Sequence, residues 1–225
     1  MSDSQLLIAL LVSTAPLLCV GVWSWTRDHT SYVGRLLLFG MTATVVWAFS
    51  LGLLVESGDS IVFGLIWLPS VTLTATAIFL LAKVANDPAW RPGRWFAVAV
   101  AVECLTSAAL TATNDRHHLV SQDLASSHIE YAWGFGFHVL FCFMLLSLAG
   151  LEMSRRTSDP SPWIRSFAVL VMTLVVATCT VQVLQIRISQ TFAAIALIAF
   201  AFAAHRGGLG TAILPSRRPS TPTTR

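Results

Sequence analysis

Four of the six histidines, His117, His118, His128 and His138, crowd into one stretch of the chain. Three lie in the polar segment Asn114–Glu130, and the fourth sits inside the apolar run that follows. An ionisable ring within hydrocarbon is costly and tends to mark a site. Glu103 is the one carboxylate deep in an apolar run. It lies about eight residues in, so ~12 Å along a helix rising 1.5 Å per residue. Ser107, Thr111 and Asn114 follow at spacings that place them with Glu103 on one helix face. Two readings stand for Glu103. It is a ligand or proton site facing a bundle interior, or it is a hydrogen-bonding group that glues two helices. His138 is at a matching depth in the next run, and a paired Glu and His would change each other's affinity for a proton. Its alternative is a structural histidine donating to a backbone carbonyl. Gly134, one turn before His138, would admit a ligand or a close helix.

Other candidates are weaker. His117, His118, His128 and Glu130 are of types that bind zinc. Their spacing matches no zinc pattern, so a solvated loop is expected and no metal site. Thr178, Gln182 and Gln185 form a second polar stripe, either a wall of the same cavity or an interhelical hydrogen-bonding face. Pro69 stands beside Ser70, Thr72, Thr74 and Thr76, where a kink would line a pocket or be repaired locally. Cys19, Cys104, Cys142 and Cys179 lie in apolar runs without metal or redox spacing and read as small buried hydrophobes. The only lysine is Lys83, which rules out a retinal Schiff base in a seventh helix. No GxxxxGK[ST], HExxH or GxSxG occurs, so nothing points to a nucleotide, a cofactor or a kinase core.

The elements that must position these residues are apolar. The chain is 55% hydrophobic and 11% charged, against about a quarter charged in a soluble domain. Seven runs stand out: Gln5–Trp25, Val33–Leu54, Ile61–Val84, Trp95–Thr113, Tyr131–Leu151, Trp163–Ile186 and Ile188–Ala204. Most approach the ~20 residues that cross a bilayer as a helix. The first lacks a basic leader and a cleavage site, and so reads as a retained helix. With the N-terminus outside, 12 of the 14 basic residues fall on inner segments and only Arg116 and Arg187 outside. That asymmetry sets orientation. The net charge of +3 comes from loop residues and gives no reason to expect nucleic acid. After His205 the chain is rich in Gly, Pro, Ser, Thr and Arg, and a disordered cytoplasmic tail is expected over 206–225.

The central stretch resembles a known family. Thr113-Asn114-x-x-His117-His118-Leu119, then a helix with His138 and the run Leu145–Leu151 containing Gly150, is similar to the N-terminal seven-helix sensor region of bacterial histidine kinases and diguanylate cyclases. Trp47, Glu56, Trp67 and Pro69 fall where that pattern places them, and the likeness spans Leu6 to Ala204. The resemblance implies a signal-sensing membrane domain. It carries over Glu56, Asn114, His117, His118 and His138 as motif positions. Two departures stand out. Phe141 fills the family's aromatic position without a hydroxyl, and about 20 residues follow the last run where an output domain is usual.

The expectation is thus an all-α, seven-helix transmembrane bundle over 1–205, N-terminus outside and C-terminus cytoplasmic, in the inner (plasma) membrane. Its expected role is a sensing module that binds an extracytoplasmic or membrane ligand and relays to a separate or missing output. The ligand-binding candidates are Glu56, Glu103, Asn114, His117, His118, His138 and Gln182. The expected partners are the lipid bilayer, a small-molecule or lipid ligand and a cytoplasmic signalling protein. Two alternatives are a small membrane enzyme or carrier using Glu103 and His138 for proton or metal chemistry, and an assembly subunit.

Overall fold

A computed structural model describes residues 3–28, 31–57, 60–120 and 132–154, together with 195, 197, 198 and 201. Every regular element among them is helical: α1 (Asp3–Asp28), α2 (Tyr32–Ser57), α3 (Ser60–Asn86), α4 (Arg94–Ala112), the single turn α5 (Asn114–His117) and α6 (Trp133–Ser154). Four of them, α2, α3, α4 and α6, contain stretches long and apolar enough to cross a membrane. The first five runs read from the sequence match α1–α4 and α6 to within a few residues. The sixth run, with Gln182, and the tail 206–225 lie outside the described residues, as do His128 and Glu130. The seventh run is represented by four helical residues, of which Leu197 and Ala201 are fully buried.

Local chemistry sets the helix ends. Ser31 caps α2, its hydroxyl oxygen accepting from Gly34 N–H at 2.9 Å. After Asn86 the chain turns at Asp87, whose Oδ1 accepts from Ala89 N–H at 3.0 Å. Pro88 and Pro92 cannot donate to a continuing helix. Gly93, in extended backbone, then offers its carbonyl to Phe96 and Ala97 N–H and starts α4. Pro69 does not end α3, which is continuous from Ser60 to Asn86.

α3 is the central post. It packs against α2, α4 and α6, while α1 packs on α2. Small residues let these helices approach, which is how apolar helices associate where burial supplies no drive. A Cβ on Gly40 would stand 2.8 Å from the Ala77 methyl and 3.2 Å from Leu197 Cδ2, so α2, α3 and the Leu197 segment meet there. The opposite faces are apolar too. Trp95, Val102 and Leu105 on α4, and Trp133, Phe137 and Leu140 on α6, turn away from the described helices.

The interior is layered. A large apolar cluster, including Leu37, Met41, Leu81, Leu145 and Ala149, fills the half that ends at Lys83. A smaller aromatic one, Trp47, Trp67, Leu68, Val120 and Phe135, fills the half that ends at Asn114. The two clusters are separated by polar residues. Thr44 falls between Met41 and Trp47 on α2, Thr72 between Leu68 and Ala75 on α3, and His138 between Phe135 and Cys142 on α6; all three are buried. At the Lys83 end, Lys83 Nζ meets Glu152 Oε1 at 2.5 Å, and Asn86 donates to the Glu152 carbonyl.

Candidate functional site

The polar layer converges on Glu103. His138 Nδ1 donates to its Oε1 at 2.6 Å, and the Thr72 hydroxyl donates to its Oε2. The side chains of His138 and Glu103 are 5% and 13% exposed. Three helices, α3, α4 and α6, therefore meet in one hydrogen-bonded chain. The expectation that Glu103 and His138 share a depth becomes a direct contact. The alternative partner for His138, a backbone carbonyl, is not the one it takes at Nδ1.

The other imidazole nitrogen has a neighbour that the sequence reading passed over. Cys142 Sγ lies 3.9 Å from His138 Nε2 and 3.7 Å from Thr72 Oγ1. With Nδ1 donating to Glu103, a neutral ring leaves Nε2 to accept from the thiol hydrogen, whereas a protonated ring has Nε2 donating to sulfur. The spacing His138-x-x-x-Cys142 was the available signal, since residues four apart share a helix face. Cys142 is thus buried as expected, but in polar company. Cys19, by contrast, is exposed on α1 and is no buried filler.

The polar stripe on α4 has a different use from the one its spacing suggested. Ser107 and Thr111 are buried, but each donates to its own helix, to Cys104 O at 3.1 Å and Ser107 O at 2.8 Å. Their hydroxyl hydrogens are thereby engaged with backbone carbonyls.

Asn114, His117 and His118 build a turn at the end of α4. Asn114 is 2% exposed. Its Oδ1 accepts from Val120 N–H at 2.9 Å, and its carbonyl accepts from His118 N–H at 2.7 Å. His117 Nδ1 accepts from Leu119 N–H at 3.0 Å, which leaves the ring hydrogen on Nε2 to donate to Thr113 Oγ1 at 2.9 Å. Thr113 passes its own hydrogen to Ala109 O at 2.8 Å. His118 takes the left-handed conformation, φ 52°, that closes the turn, and its ring is exposed. The turn then lies on α6. A Cβ on Gly134 would come within 2.6 Å of Leu119 O, so glycine is needed there for the close approach of backbone, not for a ligand.

Between this turn and the polar layer lies the aromatic cluster. Trp67 stacks on Phe135 at 6.1 Å between ring centroids, and Phe135 is 5.8 Å from the His138 ring. Trp67 Nε1 is buried with no hydrogen-bond partner among the described residues. Of the seven candidates, the structure brings Glu103 and His138 into contact. Asn114, His117 and His118 form the nearby turn. Glu56 falls in the last turn of α2, and Gln182 lies outside the described residues.

A family model described as the N-terminal 7TM region of histidine kinase matches residues 9–217. No curated protein and no solved structure matches the chain. The chain belongs to that histidine-kinase 7TM family. It is a transmembrane protein of the sensory, signal-transducing class.

Proposed function

We propose, from membership of the histidine-kinase 7TM family, that the chain is the sensing module of a signalling system in the inner membrane. In this reading the N-terminus is outside, seven helices span, and the Thr113–Val120 turn forms the outer roof. A ligand from outside or from the bilayer acts on the polar layer beneath it. The observation that carries the reading is the Thr72–Glu103–His138 chain. Such a chain joins three helices through a few hydrogen bonds in the one layer where the packing is polar. A ligand that binds better to one arrangement of those bonds than to another shifts the helices between the two. The signal leaves at the inner face, where Lys83 and Glu152 join α3 to α6. The recipient is a cytoplasmic output protein or domain that recognises this face, with Arg155, Arg156 and the basic tail as contacts.

The test is co-purification from native membranes of proteins bound at the inner face, comparing the natural chain with His138→Ala. A cytoplasmic signalling protein held by the natural chain and altered by the substitution is the expected result. No partner under any condition, together with turnover of a small substrate that His138→Ala abolishes, would overturn the reading in favour of an enzyme.

A further inference from the structure

Basic side chains and aromatic rings gather at the end of the bundle that carries Lys83. Arg27 lies over Trp23, Lys83 over Trp90, Arg91 over Tyr32 and Arg94 over Trp95, at 5.2, 6.0, 4.2 and 5.3 Å from the ring centroids. Lys83 is already paired with Glu152. Arg91 makes the closest of these ring contacts and is held on a second side as well. Its Nη1 donates to Pro88 O at 2.8 Å and to Trp90 O at 2.7 Å. The hydrogens of Nη1 are thereby engaged, and the Nε–Nη2 edge of the guanidinium keeps three. An edge of that kind grips an oxyanion through two parallel hydrogen bonds. Loop carbonyls and the Tyr32 ring thus fix the group before an anion arrives, and Arg91 is exposed.

Arg35 supplies a second charge. It follows Tyr32 by three residues, so the two share a face of α2, and Arg91 rests on Tyr32. Arg35 is exposed although it lies within the apolar span Tyr32–Ser50, ~4.5 Å past its first residue. A guanidinium exposed at that depth turns back to the headgroups. The same face continues away from Arg35 as Phe39, Val46 and Phe49, all exposed. An arginine at the head of an apolar stripe matches a phospholipid from head to tail. A free phosphate would find the charge but have no use for the stripe. Arg91 lies just before the apolar span of α4, Arg94–Ala112, and so stands at the same membrane boundary as the start of α2. Among the described residues this end carries Arg27, Arg35, Lys83, Arg91 and Arg94 against Asp28, Asp87 and Glu152, a surplus of positive charge.

We propose that Arg91 and Arg35 form a binding site for the phosphate of an anionic phospholipid headgroup. Arg91 takes the phosphate oxygens through its Nε–Nη2 edge. Arg35 adds charge from the first turn of α2, and an acyl chain lies along Phe39, Val46 and Phe49. The bound lipid fastens α2 to the connection between α3 and α4, two elements that the Arg91–Tyr32 contact already joins. The inference goes beyond the sensor reading. It uses neither the polar layer nor the orientation of the chain, since it holds whichever leaflet this end faces.

The purified full-length chain in neutral detergent is followed by native mass spectrometry as phosphatidylglycerol is added, with phosphatidylcholine of the same acyl chains as reference. The natural chain should retain phosphatidylglycerol at a concentration about fivefold or more below that needed for phosphatidylcholine. Arg35→Gln should weaken that retention about fivefold, the worth of one arginine at an anionic surface. Arg91→Lys keeps the charge but loses the fork, and should weaken it at least as much. Arg27→Gln removes a charge from α1 and should leave retention nearly unchanged. Circular dichroism and monodisperse elution report whether each variant is folded. Equal retention of the two lipids by the natural chain, a result independent of any variant, would overturn the proposal. So would full retention by folded Arg35→Gln or Arg91→Lys, or a loss in Arg27→Gln as large as in Arg35→Gln, which would mean diffuse charge and no built site. Displacement of the lipid by millimolar inorganic phosphate would assign the site to a soluble anion and overturn it equally.

Discussion

Glu103 and His138 invite a double-mutant cycle. Glu103→Ala removes the acceptor for two donors, the Thr72 hydroxyl and His138 Nδ1–H. In a water-soluble core, truncating one partner of such a buried pair costs about 3–5 kcal/mol. Within a membrane the unfolded chain also finds partners, and interhelical hydrogen bonds average ~0.6 kcal/mol with a maximum near 1.7. The membrane figure is the right one here, because the layer lies midway along apolar helices. Two bonds then set a cost of about 1–3 kcal/mol for Glu103→Ala. His138→Ala loses one of the same bonds and in addition leaves a hole between α3 and α6, so it should cost more. The bond they share cannot be lost twice. The double variant should therefore fall short of the sum of the singles by ~1 kcal/mol. Glu103→Gln, which still accepts from Thr72, should cost less than Glu103→Ala. The assay is denaturing-detergent titration in mixed micelles, followed by circular dichroism and tryptophan fluorescence. Additivity to within ~0.3–0.5 kcal/mol would refute the coupling.

Four further outcomes are expected. Gly134→Ala should destabilise by about 1–3 kcal/mol, because the new methyl meets the Leu119 backbone, whereas Gly136→Ala, with nothing within 4 Å, should be neutral or gain up to ~1 kcal/mol; thermal unfolding that ranks them the other way refutes the close approach. Asn114→Ala should cost about 1–3 kcal/mol by stranding the buried Val120 N–H, and a larger effect from His117→Ala in the same assay would refute that assignment of the turn. Glu152→Ala should cost more than Lys83→Met, whose partly exposed charge is worth about 1 kcal/mol, since Glu152 also serves Asn86; equal effects on melting would refute this. In intact cells an impermeant thiol reagent should label Ser4→Cys and spare Thr224→Cys, as the 12-to-2 split of basic residues requires; labelling at the tail refutes the orientation.

The helices were legible because apolar length is a strong signal: runs bounded by Trp25, Val84 or Thr113 end within a few residues of α1, α3 and α4. The Glu103–His138 contact was legible because both are ionisable groups at similar depth. What periodicity could not show was which neighbour each hydroxyl would choose. Ser107 and Thr111 share the face of Glu103 yet bond their own backbone, while Thr72, on another helix, reaches the carboxylate. A stripe fixes direction, and only packing fixes partners. The motif Asn114-x-x-His117-His118 was visible, but its use in holding a turn needs the left-handed His118 and the backbone of Leu119 and Val120, none of which a spacing encodes. Cys142 was missed because a thiol in an apolar run is ordinarily filler; its i+4 relation to His138 mattered only once Glu103 had oriented the ring.

One helix passes through the turn, the polar layer and the large core. Along a single buried face, α6 presents Gly134 to the turn, His138 and Cys142 to the polar layer, and Leu145 and Ala149 to the large core. In its last turn Glu152 is bound to Lys83 and Asn86. From Gly134 to Glu152 is ~27 Å at 1.5 Å per residue. A continuous helix of that length moves largely as a rigid body, so a shift at the turn or the polar layer cannot be absorbed without appearing near Glu152. Its apolar contacts with α3 are non-directional and tolerate a small slide, whereas the hydrogen bonds at Glu103 and the pair at Glu152 are directional and resist one. A membrane sensor needs resistance of this kind at two separated points on one rigid element. Under the sensor function proposed above, two preferred arrangements would then replace a continuum, and an event at one point would bias the other. The layered core, apolar with polar contacts at two levels, provides the two points.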